Sequence, residues 1–131
     1  ARYQNEIIGY IIGIPLEELN METWALNDEN FGKYNTLYTY AFVIMEKYKS
    51  NGYAKMLKRV YLSWAQKRDS IQYITGHISA GNIDLKDKNV KIISFEEDWQ
   101  GTGKPFEYYR RSFDDTSQNS VFSPPFEIVV E

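Results

Sequence analysis

The chain has 131 residues, of which 43% are hydrophobic and 25% charged, with a formal net charge of −3, one His and no Cys. These numbers fit a single folded domain over residues 1–131 and exclude a disulfide framework, a Cys-ligated zinc site, a thiol nucleophile and a multi-histidine metal centre, so no metal is expected. The longest apolar stretch, residues 7–16, holds two Gly and a Pro and falls far short of the roughly 20 residues a membrane helix needs, so a cytoplasmic protein without membrane contact is expected.

Arg2-Tyr3 and the β-branched run Ile7–Ile14 flank Gln4-Asn5-Glu6, which predicts a hairpin turn, and Pro15 ends the strand. Residues 15–19 open a short helix with Glu17 and Glu18 in its first turn, and residues 20–35 are polar enough to read as loop. Thr36–Met45 is the clearest strand, and its near-continuous apolar character predicts burial on both faces. A turn at 49–52 leads into a helix from Gly52 to Arg68. Tyr53, Leu57, Val60, Tyr61 and Trp64 form its apolar stripe, Lys55, Lys58, Arg59 and Gln66 lie opposite, and Leu62 is a misfit on the polar side.

Ile71–Ser79 is the next strand, which makes the preceding unit a crossover between parallel strands. Residues 80–89 are polar. Val90–Phe95 and Phe106–Phe113 are further strands, joined through Gly101, Gly103 and Pro105. A polar tail then leads to a last strand at Phe126–Val130. The expected class is α/β (α+β), with a mixed, mostly antiparallel central sheet.

Charge is unevenly spread. Residues 47–68 carry seven basic side chains and no acid, whereas the first 46 residues carry two basic and seven acidic ones. A basic block on a turn that opens a helix suits an anion, because the first N–H groups and the helix dipole point at one spot. The same block also reads as a solvated helix face.

Lys49-Ser-Asn-Gly52-Tyr-Ala54 resembles the Arg/Gln-x-x-Gly-x-Gly/Ala turn of the GCN5-related N-acetyltransferases, with Lys in the first place and Ala in the last. The strand before it and the helix and strand after it agree with that family over residues 1–82. The resemblance implies acetyl-CoA as co-substrate, with its pantetheine arm between splayed parallel strands. The backbone of Val43 and Ile44 would bond the pantetheine. The N–H groups of Asn51, Gly52, Tyr53, Ala54 and Lys55 would hold the pyrophosphate, Lys49 and Lys55 would add charge, and Asn82 would contact the cofactor. Two departures stand out. Residues 83–89 hold no Tyr where the family carries its general acid, and the family's first strand and first two helices have no counterpart before Arg2.

His77 and Glu46 are the candidate bases for an acceptor amine, and Tyr40, Tyr108 and Tyr109 candidate acids, each with core packing or solvation as the plainer explanation. Glu17, Glu18 and Glu22 would draw a cationic amine, or serve helix-start electrostatics. Gly101-Thr-Gly-Lys104 lacks the remaining positions of a phosphate loop, with Asp98 and Pro105 where Gly and Ser or Thr belong. Tyr108-Tyr109-Arg110-Arg111 alternates faces on a strand of an acidic chain, which speaks against nucleic acid. The expected activity is transfer of an acetyl group from acetyl-CoA to an amine. The alternative is a non-catalytic CoA-binding or protein-interaction module, and the aromatic C-terminal half offers a surface for a homodimer.

Overall fold

A computed structural model describes residues 1–3, 5–83 and 86–113; the strand expected at Phe126–Val130 lies outside the described residues. β1 (Arg2–Tyr3) and β2 (Glu6–Ile7) form a small antiparallel hairpin, with Asn5 at a positive φ of 65° in its turn. β3 (Gly9–Pro15), β4 (Thr36–Ile44), β5 (Tyr73–Ser79), β6 (Val90–Glu96) and β7 (Phe106–Ser112) form a five-stranded sheet in the order β3-β4-β5-β7-β6. Only β4 and β5 run parallel; the other neighbours are antiparallel. The mixed sheet and its parallel crossover are those expected from the sequence.

Two helices flank the sheet. α1 (Thr23–Leu26) is a single turn inside the segment expected to be loop. α2 (Tyr53–Gln66) starts at Gly52, whose φ of 77° is left-handed and explains a glycine at its N-cap. Leu37, Ile74 and Ala65 form a core between sheet and helix, with Tyr61, Leu62 and Trp64 packed against it. Leu62 is therefore no misfit: the contact stripe of the helix is wide enough to take it. Further along, Leu57 packs with Ile8, Ile11 and Ile44. The opposite face is covered by the connection between β3 and β4, where Leu16 and Ala25 pack with Tyr38 and Tyr108.

The expectation that β4 is buried on both faces holds only for its first three residues. Tyr40 is 63% and Phe42 41% exposed, because no element covers that end of the strand on both sides. The register explains part of this. Ile12 pairs with Ala41 but Gly13 pairs with Thr39, so Tyr40 is an extra residue bulged out of the ladder.

Candidate functional site

β4 and β5 pair only through Thr36–Tyr38 and Tyr73–Thr75. Beyond that point β5 continues with β7 and β4 continues with β3, so the two central strands part and leave an opening between them. Met45 N–H donates to Ile8 O at 2.7 Å, which fixes the alternation of the β3–β4 ladder. On that alternation Val43 directs its backbone groups to β3, while Phe42 and Ile44 direct theirs into the opening.

Past Ile44 the chain makes one tight turn over Glu46–Tyr48, then passes Ser50 at φ 67° and Gly52 at φ 77° into α2. Met56 N–H closes the first helical turn on the N-cap, bonding Gly52 O at 3.2 Å. The N–H groups of the first turn thus face outward at the mouth of the opening. Around Gly52 the space is clear: an added Cβ would meet only Met56 Cε, at 3.9 Å. The Asn51 side chain is turned inward and braces the loop, donating to Lys49 O at 3.3 Å and Tyr48 O at 3.4 Å. A clear concave turn lined by backbone donors, with Lys49 and Lys55 exposed beside it, fits a pyrophosphate group.

The two candidate bases are not brought together. Glu46 is 87% exposed and ion-paired with the turn's own Lys49 at 2.8 Å. His77 lies on the other side of the opening. Its Nδ1 is 2.8 Å from the Tyr38 hydroxyl, and its ring is stacked on Trp99 at 3.7 Å between centroids and edged by Trp24 at 4.5 Å. Nε2 is buried with no partner among the described residues. Burial lowers the His77 pKa to about 4, so the imidazole is neutral at neutral pH rather than poised near it. Asn82 stands on an exposed turn, its N–H accepted by Ser79 O at 3.2 Å, and no α-helix follows it among the described residues.

The three tyrosines also separate. Tyr40 is exposed at the bulge. Tyr109 lies across Gly76, its hydroxyl 2.8 Å from where a Cβ on that glycine would stand, and burial raises its pKa. Tyr108 is fully buried and donates to Asp28 Oδ2 at 2.5 Å. Burial and that bond hold its proton firmly, which removes it as an acid. Arg110, on the same strand, bonds Asp28 at 3.1 Å and Glu29 at 2.8 Å, so the Tyr-Tyr-Arg-Arg run serves the fold.

Glu17 is likewise structural, accepting the N–H groups of Gly32 and Tyr34 at 2.9 and 3.3 Å. Glu22, by contrast, lines a cavity of about 500 Å³ between α1, β6 and the β6–β7 connection, together with Trp24, Asp28, Glu96, Asp98 and Trp99. Sequence reasoning missed both tryptophans. The available signal was a Trp placed in each of two polar connections, where a large ring needs a surface to lie on.

Known proteins extend this picture. The model of the acetyltransferase (GNAT) family matches residues 1–86. No curated protein sequence matches the chain significantly. Among solved structures, Ard1 from Thermoplasma volcanium superposes with a TM-score of 0.60 at 11% identity, covering 86% of this chain and 67% of that one. A GNAT family acetyltransferase from Elizabethkingia anophelis with acetyl-CoA bound gives 0.59 at 12%, covering 86% and 72%. Arabidopsis thaliana NAA60 in complex with acetyl-CoA gives 0.57 at 17%, covering 83% and 67%. These likenesses are likenesses of fold, and the family match spans the strands, turn and helix that build the opening. The chain belongs to the acetyltransferase (GNAT) family.

Proposed function

We propose that the chain binds acetyl-CoA in the opening between β4 and β5 and directs its acetyl group to an amine. The observation that carries this is the divergence of the two parallel strands after Tyr38 and Thr75, with the Lys49–Gly52 turn at its mouth. Phe42 and Ile44 offer backbone groups to the pantetheine arm, which keeps Ile44 from the sequence expectation and puts Phe42 in the place of Val43, whose backbone faces β3. The N–H groups of Asn51 to Lys55 bind the pyrophosphate, and Lys49 and Lys55 add charge.

The chemistry is direct attack. The amine nitrogen bonds to the acetyl carbon, the C–S bond breaks, and the proton lost by nitrogen ends on the CoA sulfur. The fold supplies orientation, and backbone N–H groups polarise the thioester carbonyl. His77 is the neutral base nearest the divergence, with Tyr38 fixing its ring.

Calorimetric titration of acetyl-CoA into the chain and into Gly52→Asp tests the site, and release of free CoA thiol with a panel of amines tests turnover. Micromolar binding abolished by Gly52→Asp is expected; unchanged binding would refute the placement. A second reading, a CoA-binding module without turnover, is favoured by the burial of His77 Nε2 beneath Trp99 and by the lack of a Tyr in residues 83–89. Binding without thiol release would select it.

A further inference from the structure

The cavity between α1 and the β6–β7 connection has a composition unlike that of the opening beside it. Its walls hold four carboxylates and no basic side chain. Arg110 neutralises Asp28, and Asp98 accepts the Gly103 N–H at 2.5 Å. Glu22 and Glu96 take part in no ion pair among the described residues. The rest of the wall includes two indoles, whose rings lie 5.8 Å apart between centroids. Two lining residues, Trp24 and Ser94, each carry a polar atom that is buried behind the wall with no hydrogen-bond partner among the described residues.

Carboxylates without counter-ions around aromatic faces suit an organic cation, which gains from both charge and ring quadrupole. The volume of about 500 Å³ falls in the range of sites for small molecules rather than extended peptides. Trp24 and Trp99 are shared with His77, one edge-on to its ring and the other stacked on it, so the cavity adjoins the imidazole at the divergence of β4 and β5. An amine held at that end lies across the two indoles from the imidazole, with a second charge resting among the carboxylates.

We propose that this cavity is the acceptor site and that it takes a small amine carrying a second positive charge, a diamine or polyamine of the putrescine and spermidine type. The assignment rests on the acetyl-transfer reading for the reaction, but not for the binding. Glu22 and Glu96 hold the distal ammonium, and the methylene chain lies against the indoles.

The test is titration of putrescine and spermidine into the full chain at low ionic strength, followed by tryptophan fluorescence, with butanediol as a neutral probe of similar length. The expected result is a saturable change with both amines and none with butanediol. The Glu22→Gln/Glu96→Gln double variant should weaken the apparent affinity by about tenfold or more, as loss of close charge partners does. Glu18→Gln, on the same connection but outside the cavity, should leave it unaltered.

An equal response to butanediol, an unweakened double variant, or the same loss in Glu18→Gln overturns the proposal. Acetyl-CoA titrated into the same samples checks that the double variant is folded and separates the two readings. Cofactor binding without amine binding refutes this inference alone. Amine binding without cofactor binding refutes the acetyl-transfer reading and leaves the cation site standing.

Discussion

The Tyr38 hydroxyl and His77 Nδ1 lie 2.8 Å apart, joining β4 to β5 just past the last residues through which those strands pair. The contact closes the apex of the opening with side chains where the backbone ladder stops. Nothing charged accompanies the bond, and burial alone fixes the protonation state of the histidine.

A pH dependence of stability follows from that burial. In the unfolded chain His77 gains a proton below about pH 6.5, whereas in the folded chain it does so only near pH 4. Between those values the unfolded state binds the extra proton, so stability is full above pH 6.5 and is lost as pH falls toward 4. Allowing for partial solvent access, the loss is about 2 kcal/mol. Urea unfolding at pH 7 and pH 5 should show it, and His77→Gln should flatten the difference; an unaltered slope in that variant would refute the assignment.

Gly52 should resist substitution for backbone reasons independent of any ligand. At φ 77° a side chain enters the left-handed region, so Gly52→Ala is expected to cost about 1 kcal/mol although its Cβ has room. Thermal unfolding reads this directly. Gly52→Asn, which tolerates that region, should lose less.

Gly13 is constrained by contact instead. A Cβ there would stand 2.6 Å from the Tyr61 hydroxyl and 2.8 Å from Leu37 Cδ2, forcing α2 away from β3. Gly13→Ala is expected to cost roughly 1–3 kcal/mol by overpacking. Adding Tyr61→Phe removes the nearest of those atoms, together with a hydroxyl 3.1 Å from Thr39 Oγ1. The double variant should recover part of the loss in a denaturant cycle, and strict additivity would contradict the contact.

Asp28 anchors β7 to the β3–β4 connection through Tyr108 and Arg110, with its own side chain fully buried. Asp28→Ala leaves the Arg110 guanidinium with Glu29 as its remaining partner and the buried Tyr108 hydroxyl without its acceptor, and should cost roughly 3 kcal/mol. Tyr108→Phe removes one neutral donor to the same carboxylate and should cost less. Chemical denaturation of both variants gives the ranking, and a reversed order would show that the hydroxyl, not the ion pair, carries the anchor.

The central unit was legible because it is governed by local chemistry. The apolar strand, the Lys49–Gly52 turn and the stripe Tyr53, Leu57, Tyr61 and Trp64 each follow from spacing or from a residue's own conformational preference, and β4, α2 and β5 stand within a few residues of their expected bounds. What stayed hidden depends on contacts far apart in sequence. His77 meets Trp24 and Trp99, and Asp28 meets residues some eighty positions away; no periodicity records such pairings. A strand with apolar residues on both sides likewise does not reveal that one side faces an opening rather than a neighbour.

The extra residue in β4 has a bearing on what changes the chain tolerates. Leu37 and Thr39 reach toward α2 before the bulge, and Ile44 packs in the cluster with Leu57 after it, a phase that only the unpaired Tyr40 makes possible. Drawing Tyr40 into the ladder opposite Ile12, with no residue removed, would straighten the strand but invert its outer half. Ile44 would turn away from the helix, and the backbone groups that Phe42 and Ile44 present to the opening would be drawn into the ladder with β3. The geometry of the cleft is thus written in the parity of one strand, so the bulge at Tyr40 is as much under constraint as the composition of β4.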